Sequence, residues 1–259
     1  MIDVKHLSIP GILDDITFSV APGERVGIIG ESGSGKSVTA LSIMGLSDLP
    51  ATGSITVDGT EMVGTPDRVR RRVRGKKVAM VFQEPMTALD PLKKIGKLVS
   101  RELLREVGVD RPGAYPHELS GGQRQRVLIA LALSKNPDVL ICDEPTTALD
   151  AIVQAEILEL LDRLVRERGM ALLFISHDLA VVRRMTDRVL VFKGGRMMTP
   201  DSDYAKALAA AAVPGPPAAP VALGEPVVTL DGVSLRRGHT LAVDGVDLTV
   251  RAGERLAIV

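Results

Sequence analysis

The run Gly30-Glu31-Ser32-Gly33-Ser34-Gly35-Lys36-Ser37 constrains this chain more than any other stretch. It fits G-x-x-x-x-G-K-[ST], the pattern of a phosphate-binding loop. Ahead of it, Arg25-Val26-Gly27-Ile28-Ile29 is short and apolar and reads as a buried strand. Behind it, Val38-Thr39-Ala40-Leu41-Ser42-Ile43-Met44 reads as a helix closed by Gly45. That strand–loop–helix setting separates the motif from a glycine-rich turn with a chance lysine. The glycines let the backbone curl until successive N–H groups point inward at phosphate oxygens. The following helix adds unpaired N–H groups and the positive end of its dipole. Lys36 supplies a mobile charge for the β and γ phosphates, and Ser37 a hydroxyl for Mg²⁺. The motif points to an α/β fold that binds a nucleoside triphosphate through residues 30–37.

A sheet built around such a loop needs more buried strands, and the chain supplies them. Val78-Ala79-Met80-Val81-Phe82 delivers Gln83 at its end. Val139-Leu140-Ile141-Cys142 runs into Asp143 and Glu144, and Ala171-Leu172-Leu173-Phe174-Ile175 runs into Ser176-His177-Asp178. Continuous apolar runs of this length suit strands buried on both faces, and ligands bind at the carboxyl ends of such strands. Sharing a sheet with the loop strand would put Asp143 near a Mg²⁺ held by Ser37. Leu119-Ser120-Gly121-Gly122-Gln123 opens a helix expected over 124–133, which Asn136-Pro137 stops. Ser120 is a good N-cap, and the two glycines leave backbone N–H groups open to an anion. Residues 150–168 read as an amphipathic helix, with Ile152, Val153, Ile157, Leu160, Leu161 and Leu164 on one stripe and Gly169 ending it.

Residues 2–9 and 13–20 read as strands, residues 53–59 as one arm of a hairpin, and residues 188–192 and 196–199 as a hairpin over Gly194-Gly195. Residues 68–77 are rich in arginine and lysine. Without interleaved aromatics they read as a solvated helix face rather than a nucleic-acid surface. Formal net charge is zero, so no global field draws the chain to nucleic acid or acidic lipid. The lone cysteine, Cys142, lies in an apolar run, against a disulfide framework or zinc cluster and in keeping with a reducing compartment. No signal peptide or membrane-length apolar run is seen, so a soluble cytoplasmic protein is expected.

Taken together, these motifs resemble the ATP-binding subunits of ABC transporters over residues 1 to about 200. The loop at 30–37 looks like that family's Walker A and 119–123 like its signature. Residues 139–144 look like Walker B, Ala148-Leu149-Asp150 like the D-loop, Gln83 like the Q-loop glutamine and His177 like the switch histidine. Gln83-Glu84-Pro85-Met86-Thr87-Ala88-Leu89-Asp90-Pro91-Leu92 and Tyr115-Pro116-His117-Glu118 are similar to the oligopeptide, dipeptide and nickel importer branch. The resemblance implies a P-loop NTPase with a RecA-like core sheet, an antiparallel β subdomain and an α-helical subdomain shortened over about 84–136. It implies ATP and Mg²⁺ as cofactors, with Ser37, Asp143 and Gln83 toward the metal. Glu144 would orient and polarise the attacking water, His177 would hold the γ-phosphate, and Gln83 would link the site to a membrane permease. A second such domain would face the first head to tail. Ser120, Gly121, Gly122 and Gln123 would then touch ATP held by the partner. Such a subunit sits on the inner face of the cell membrane and powers import. A soluble ABC ATPase of DNA repair or translation, or a non-hydrolysing remnant, are the competing readings. The segment Ser8-Ile9-Pro10-Gly11-Ile12 lacks the aromatic that the family usually stacks on adenine.

Beyond residue 200 the composition turns to alanine, proline and glycine, and 201–225 reads as a semi-rigid linker. An internal repeat follows, with 243–259 matching 13–29 without a gap and 228–235 matching 2–9. Strands are expected at 227–230, 241–250 and 256–259. Residues 226–259 thus read as the opening of a second ABC domain, marginal in water without a packing partner.

Overall fold

Five parallel strands and one antiparallel strand form the sheet that carries the site. The computed structural model describes residues 1–83, 88–147, 149–211 and 222–257. Two units divide the chain, Met1–Val213 and Pro214–Val259. Glu84, Pro85, Met86 and Thr87 of the importer-like stretch, Ala148 of the D-loop-like stretch, residues 212–221 of the expected linker and Ile258 and Val259 of the expected last strand lie outside the described residues.

In the first unit, strands β1 (Ile2–Ile9), β2 (Leu13–Val20), β4 (Thr52–Val57) and β5 (Thr60–Glu61) make an antiparallel sheet in the order β2-β1-β4-β5. Strands β3 (Arg25–Gly30), β6 (Val78–Val81), β7 (Val139–Asp143), β8 (Ala171–Ile175), β9 (Arg188–Lys193) and β10 (Arg196–Met198) make the other, ordered β10-β9-β3-β8-β7-β6. All of its neighbours pair parallel except β9 with β10. Alternation along each strand sends side chains to two separate cores. Val78, Met80, Val139, Ile141, Leu173 and Ile175 pack with the antiparallel sheet and helix α1 (Lys36–Ile43). Ala79, Val81, Leu140, Cys142, Leu172 and Phe174 pack against α5 (Gly121–Leu133), α6 (Ala151–Arg168) and α7 (Leu179–Met185). A sheet buried on both faces has no polar side, which is why its strands read as unbroken apolar runs. Cys142 is fully buried there, and burial pushes its thiol far above the usual range, so it is inert.

Helix α2 (Asp67–Val73) carries the arginine-rich run on a largely solvated face, with only Val73 buried. Short helices α3 (Ile95–Leu98) and α4 (Arg101–Glu106) and a 3₁₀ turn at Pro116–Glu118 precede α5. Among the described residues no helix is long and apolar enough to cross a membrane.

Several expectations need correction. The signature helix starts at Gly121 rather than at 124, because Ser120 caps it directly. Ile152 does not join the apolar stripe of α6 but stands 75% exposed, because at about 100° per residue it points away from the face shared by Val153, Ile157, Leu160, Leu161 and Leu164. Residues expected to begin the linker form α8 (Asp203–Ala211), with Ala205 buried. Alanine is the best helix former, and this stretch contains no proline to stop it.

The second unit is a hairpin of β11 (Pro226–Arg237) and β12 (Thr240–Arg251). It repeats the pairing of β1 with β2. Ile2, Val4, Leu7 and Ile9 face Val20, Phe18, Ile16 and Leu13 in one, and Val228, Leu230, Val233 and Leu235 face Val250, Leu248, Val246 and Val243 in the other. The repeat stops there. Leu256 and Ala257 lie in no strand, whereas the equivalent strand β3 is paired on both sides by β8 and β9. A strand without neighbours has no partners for its backbone groups.

Candidate functional site

Register brings the chemistry to one edge of the parallel sheet. Asp143 pairs with Ile175, Ile28 with Ile175, and Val81 with Cys142, so β3, β6, β7 and β8 end nearly level. Whatever follows each strand therefore meets at the carboxyl edge, where α/β sheets bind ligands.

The loop after β3 is shaped by its glycines. A Cβ on Gly30 would lie 2.2 Å from the Phe192 carbonyl oxygen, so that position admits no side chain. Gly35 caps α1 at φ 95°, a left-handed conformation that glycine adopts without strain. Lys36 is 6% exposed and folds back on the loop, its ammonium donating to the carbonyls of Gly30 at 2.9 Å and Glu31 at 2.8 Å. Burial holds that ammonium below its usual value, opposed by the charges of Glu144 and Asp143. Among the described residues Ser34 Oγ is buried without a hydrogen-bond partner.

Asp143, at the end of β7, is 5% exposed. Burial pushes its carboxyl above the usual range. The Ser37 hydroxyl that hydrogen-bonds it pulls the other way, Glu144 adds to the rise, and Lys36 opposes it. One carboxylate oxygen, Oδ1, is buried and has no hydrogen-bond partner among the described residues. An orphaned anionic oxygen beside a hydroxyl suits a hard, oxygen-seeking cation that keeps most of its ligands from water and phosphate, as Mg²⁺ does. Ser37 and Asp143 fit that ion. Among the described residues no group of three or more His, Cys, Asp and Glu could make a self-sufficient metal cage.

Glu144 follows at φ 45° and, among the described residues, collects three contacts on one oxygen, Oε2. Thr147 Oγ1 donates at 2.9 Å, Gln83 Nε2 donates at 3.4 Å, and His177 Nδ1 lies at 3.3 Å. Gln83 follows β6 and His177 follows β8, so the three strand ends are joined through this carboxylate. The His177 side chain is 65% exposed, which leaves it free to meet a ligand. Gln83 is placed against Glu144, and among the described residues no hydrogen bond joins it to Ser37 or Asp143.

Ser120, Gly121, Gly122 and Gln123 stand apart from this group. The Ser120 hydroxyl accepts from Gln123 N–H at 3.2 Å, and Gln123 Oε1 accepts from Ser120 N–H at 3.1 Å, a reciprocal cap on α5. A Cβ on Gly122 would lie 2.5 Å from Val153 on α6, and one on Gly121 would lie 3.3 Å from Leu149. Among the described residues no hydrogen bond links Ser120 or Gln123 to the phosphate loop. Asp150 caps α6 through Val153 N–H at 2.9 Å.

A cavity of about 930 Å³ adjoins the loop at Gly33, lined by Pro10, Ile12, Asp14, Pro50 and Arg196 among others. Among the described residues its lining holds no aromatic side chain.

Two residues near the site escaped the sequence reading. Thr147 could have been found from Pro145, since a Glu-Pro-Thr-Thr turn returns its last side chain toward its first. Tyr204 on α8 hydrogen-bonds Glu31 of the loop; burial pushes its phenol up and the Glu31 carboxylate adds to the rise. Lys193 Nζ sits 4.4 Å from the ring centroid. No local pattern marks that contact, because it joins residues far apart in the chain.

Known proteins resemble this chain. A family model described as "ABC transporter" matches residues 13–147. A peptidoglycan transport ATP-binding protein of Agrobacterium fabrum is 43% identical over 294 residues, covering 95% of this chain and 54% of that protein. An oligopeptide transport ATP-binding protein of Mycobacterium tuberculosis is 45% identical over 210 residues, covering 71% of this chain and 34% of that protein. The chain thus spans about half, or less, of the length of these curated relatives. Among solved structures, a dimeric post-hydrolysis state of an ATP-binding cassette bound to ADP and Pi superposes with a TM-score of 0.68 at 28% identity, covering 77% of this chain and 97% of that one.

Proposed function

The chain belongs to the ABC transporter family, and we propose that it is an ATP-hydrolysing subunit powering an importer of peptide-type substrates. The meeting of Lys36, Ser37, Asp143, Glu144, Gln83 and His177 at one sheet edge carries this reading. The names of its relatives support the substrate class.

ATP would lay its phosphates along residues 30–37, the loop N–H groups and the start of α1 binding their charge. Lys36 would leave the carbonyls of Gly30 and Glu31 for phosphate oxygens. Ser37 and Asp143 would hold Mg²⁺, which when bound neutralises charge on the β and γ phosphates. The nucleoside would occupy the cavity beside Gly33. Glu144 would orient and polarise the attacking water, His177 would hold the γ-phosphate, and Gln83 would report the state of Glu144 to the segment that follows it. Ser120 and the N–H groups of Gly121 and Gly122 would meet ATP bound by a second domain placed head to tail, with Gln123 holding their cap. Residues 1–200 would be the ATP-binding domain, with residues 226–259 opening a second one. The pair would work on the cytoplasmic face of a membrane, against permease subunits. The retained carboxylate at 144 favours hydrolysis over an inert remnant.

Phosphate release from Mg²⁺-ATP tests this reading. Glu144→Gln keeps shape but removes charge and basicity, so ATP binding is expected to persist while turnover falls by about two orders of magnitude or more. A parent chain that binds no ATP, or a Glu144→Gln variant with unchanged turnover, overturns it.

A further inference from the structure

Glu144 adopts φ 45°, a backbone region that residues with side chains rarely enter. Its N–H donates to the Ile175 carbonyl at 2.9 Å, so the end of β8 holds it there. Pro145 comes next, and the Thr147 N–H returns to the Glu144 carbonyl at 3.2 Å, closing a four-residue turn. Proline pre-sets φ at the second position of such a turn. The closed turn carries the side chain of its last residue back over that of its first, here the Thr147 hydroxyl onto Glu144 Oε2. At 2.9 Å this is, among the described residues, the shortest of the three contacts on that oxygen and the only one made from within the same turn. Gln83 and His177 reach it from other strand ends at 3.4 and 3.3 Å. A carboxylate on a rotatable stem needs at least one close, fixed donor to hold its plane, and Thr147 is that donor.

We propose that Thr147 is a positioning residue for ATP hydrolysis, fixing Glu144 through Oε2 so that Oε1 is presented to the attacking water. The inference rests on Glu144 being the water-orienting carboxylate. The threonine hydroxyl keeps its proton throughout and acts on Glu144 rather than on the attacking water or the phosphate. Its effect is therefore confined to the chemical step. A donor to a charged acceptor is among the stronger hydrogen bonds, and a small misplacement of a catalytic group is costly in rate.

The test compares the parent chain with Thr147→Val, Thr147→Ser, Glu144→Gln and the Glu144→Gln/Thr147→Val double variant. Valine keeps the branched shape and removes the donor, whereas serine keeps the donor. Thr147→Val is expected to lower kcat by about tenfold or more with the Kd for Mg²⁺-ATP within about twofold, and Thr147→Ser to restore most of the rate. On the Glu144→Gln background the valine should cost nothing further, because the group it positions is already disabled. An unchanged kcat in Thr147→Val, or an equal loss on both backgrounds, overturns the proposal while leaving the reading of Glu144 intact. Normal turnover in Glu144→Gln overturns that reading and the proposal with it. A crystal structure of Thr147→Val decides the same point without turnover: Glu144 is expected to leave Gln83 and His177, and a carboxylate unmoved overturns the proposal.

Discussion

Lys36→Ala removes the one side-chain cation that this chain places inside the phosphate loop, and its cost can be worked from the contacts. In the free protein the ammonium donates to two loop carbonyls at 2.9 and 2.8 Å. Binding ATP exchanges those partners for anionic oxygens. Two unit charges about 3 Å apart at an effective dielectric of about 20 attract by about 5.5 kcal/mol. Giving up two carbonyl hydrogen bonds returns about 1 kcal/mol each, somewhat more for a charged donor. The difference, about 3 kcal/mol, corresponds to about two orders of magnitude in Kd.

The fold should tolerate the change. Burial already holds the Lys36 ammonium below its ordinary value, so the site gains little stability from keeping it charged. Titration calorimetry with Mg²⁺-ATP, beside thermal unfolding without nucleotide, reads the two effects separately. Binding weakened about a hundredfold with Tm within a few degrees is the expected pair. Equal affinity for parent and variant would refute the exchange of partners. A large drop in Tm would show instead that Lys36 is a structural strut.

Glu61 offers a pH test of the antiparallel sheet. Burial pushes its carboxyl up, but the Ser54 hydroxyl and the N–H groups of Val63, Ile55 and Met62 outweigh this and hold it below its usual value. A depressed carboxyl contributes stability above its unfolded pKa and loses it as pH falls through the folded one. Glu61→Gln should therefore lower stability at neutral pH, by about 1–3 kcal/mol, with the gap to the parent closing in acid. A gap that stays constant in chemical unfolding down to acid pH would remove the carboxylate from the account. Deleting residues 214–259 should leave ATP affinity unchanged and improve solubility, because Leu235, Val227 and other apolar side chains of β11 stand exposed. Loss of ATP binding on deletion would make the second unit part of the site.

Much of this architecture was legible because a sheet buried on both faces leaves no room for polar interruptions. Its strands appear as apolar runs, and their ends mark the site. Gly30 and Gly35 were readable for a related reason, since one admits no Cβ and the other needs a positive φ. Ile152 lay within reach of the sequence, since strict periodicity puts it off the face of Val153, Ile157, Leu160, Leu161 and Leu164, and it stands exposed. Elsewhere the deciding forces were not local. Residues 203–211 have a linker's composition and a helix's propensity, and the docking of Ala205 and Tyr204 decides between them. The contacts of Glu144 with Gln83 and His177 join three strand ends, which no spacing along the chain encodes.

Ser120 allows a cleaner test of the head-to-tail arrangement than the glycines beside it. Gly122 has a packing reason to lack a side chain, because a Cβ there would strike Val153. Substituting it confounds helix packing with any contact to a partner's ATP. Ser120, in contrast, has a separable duty: its hydroxyl caps α5 at Gln123 N–H. Aspartate caps a helix as well as serine does and is favoured at the positive end of the dipole. Ser120→Asp should therefore keep Tm within a few degrees of the parent and leave ATP affinity at the chain's own phosphate loop untouched. Against the phosphates of a partner's ATP, the same carboxylate would place like charges in contact and block closure. Turnover of the paired domains should then fall sharply, while Ser120→Ala loses about 1 kcal/mol of stability and only part of the rate. Ser120→Asp with parental turnover would mean that the cap of α5 never faces phosphate, and the head-to-tail pairing would have to be abandoned.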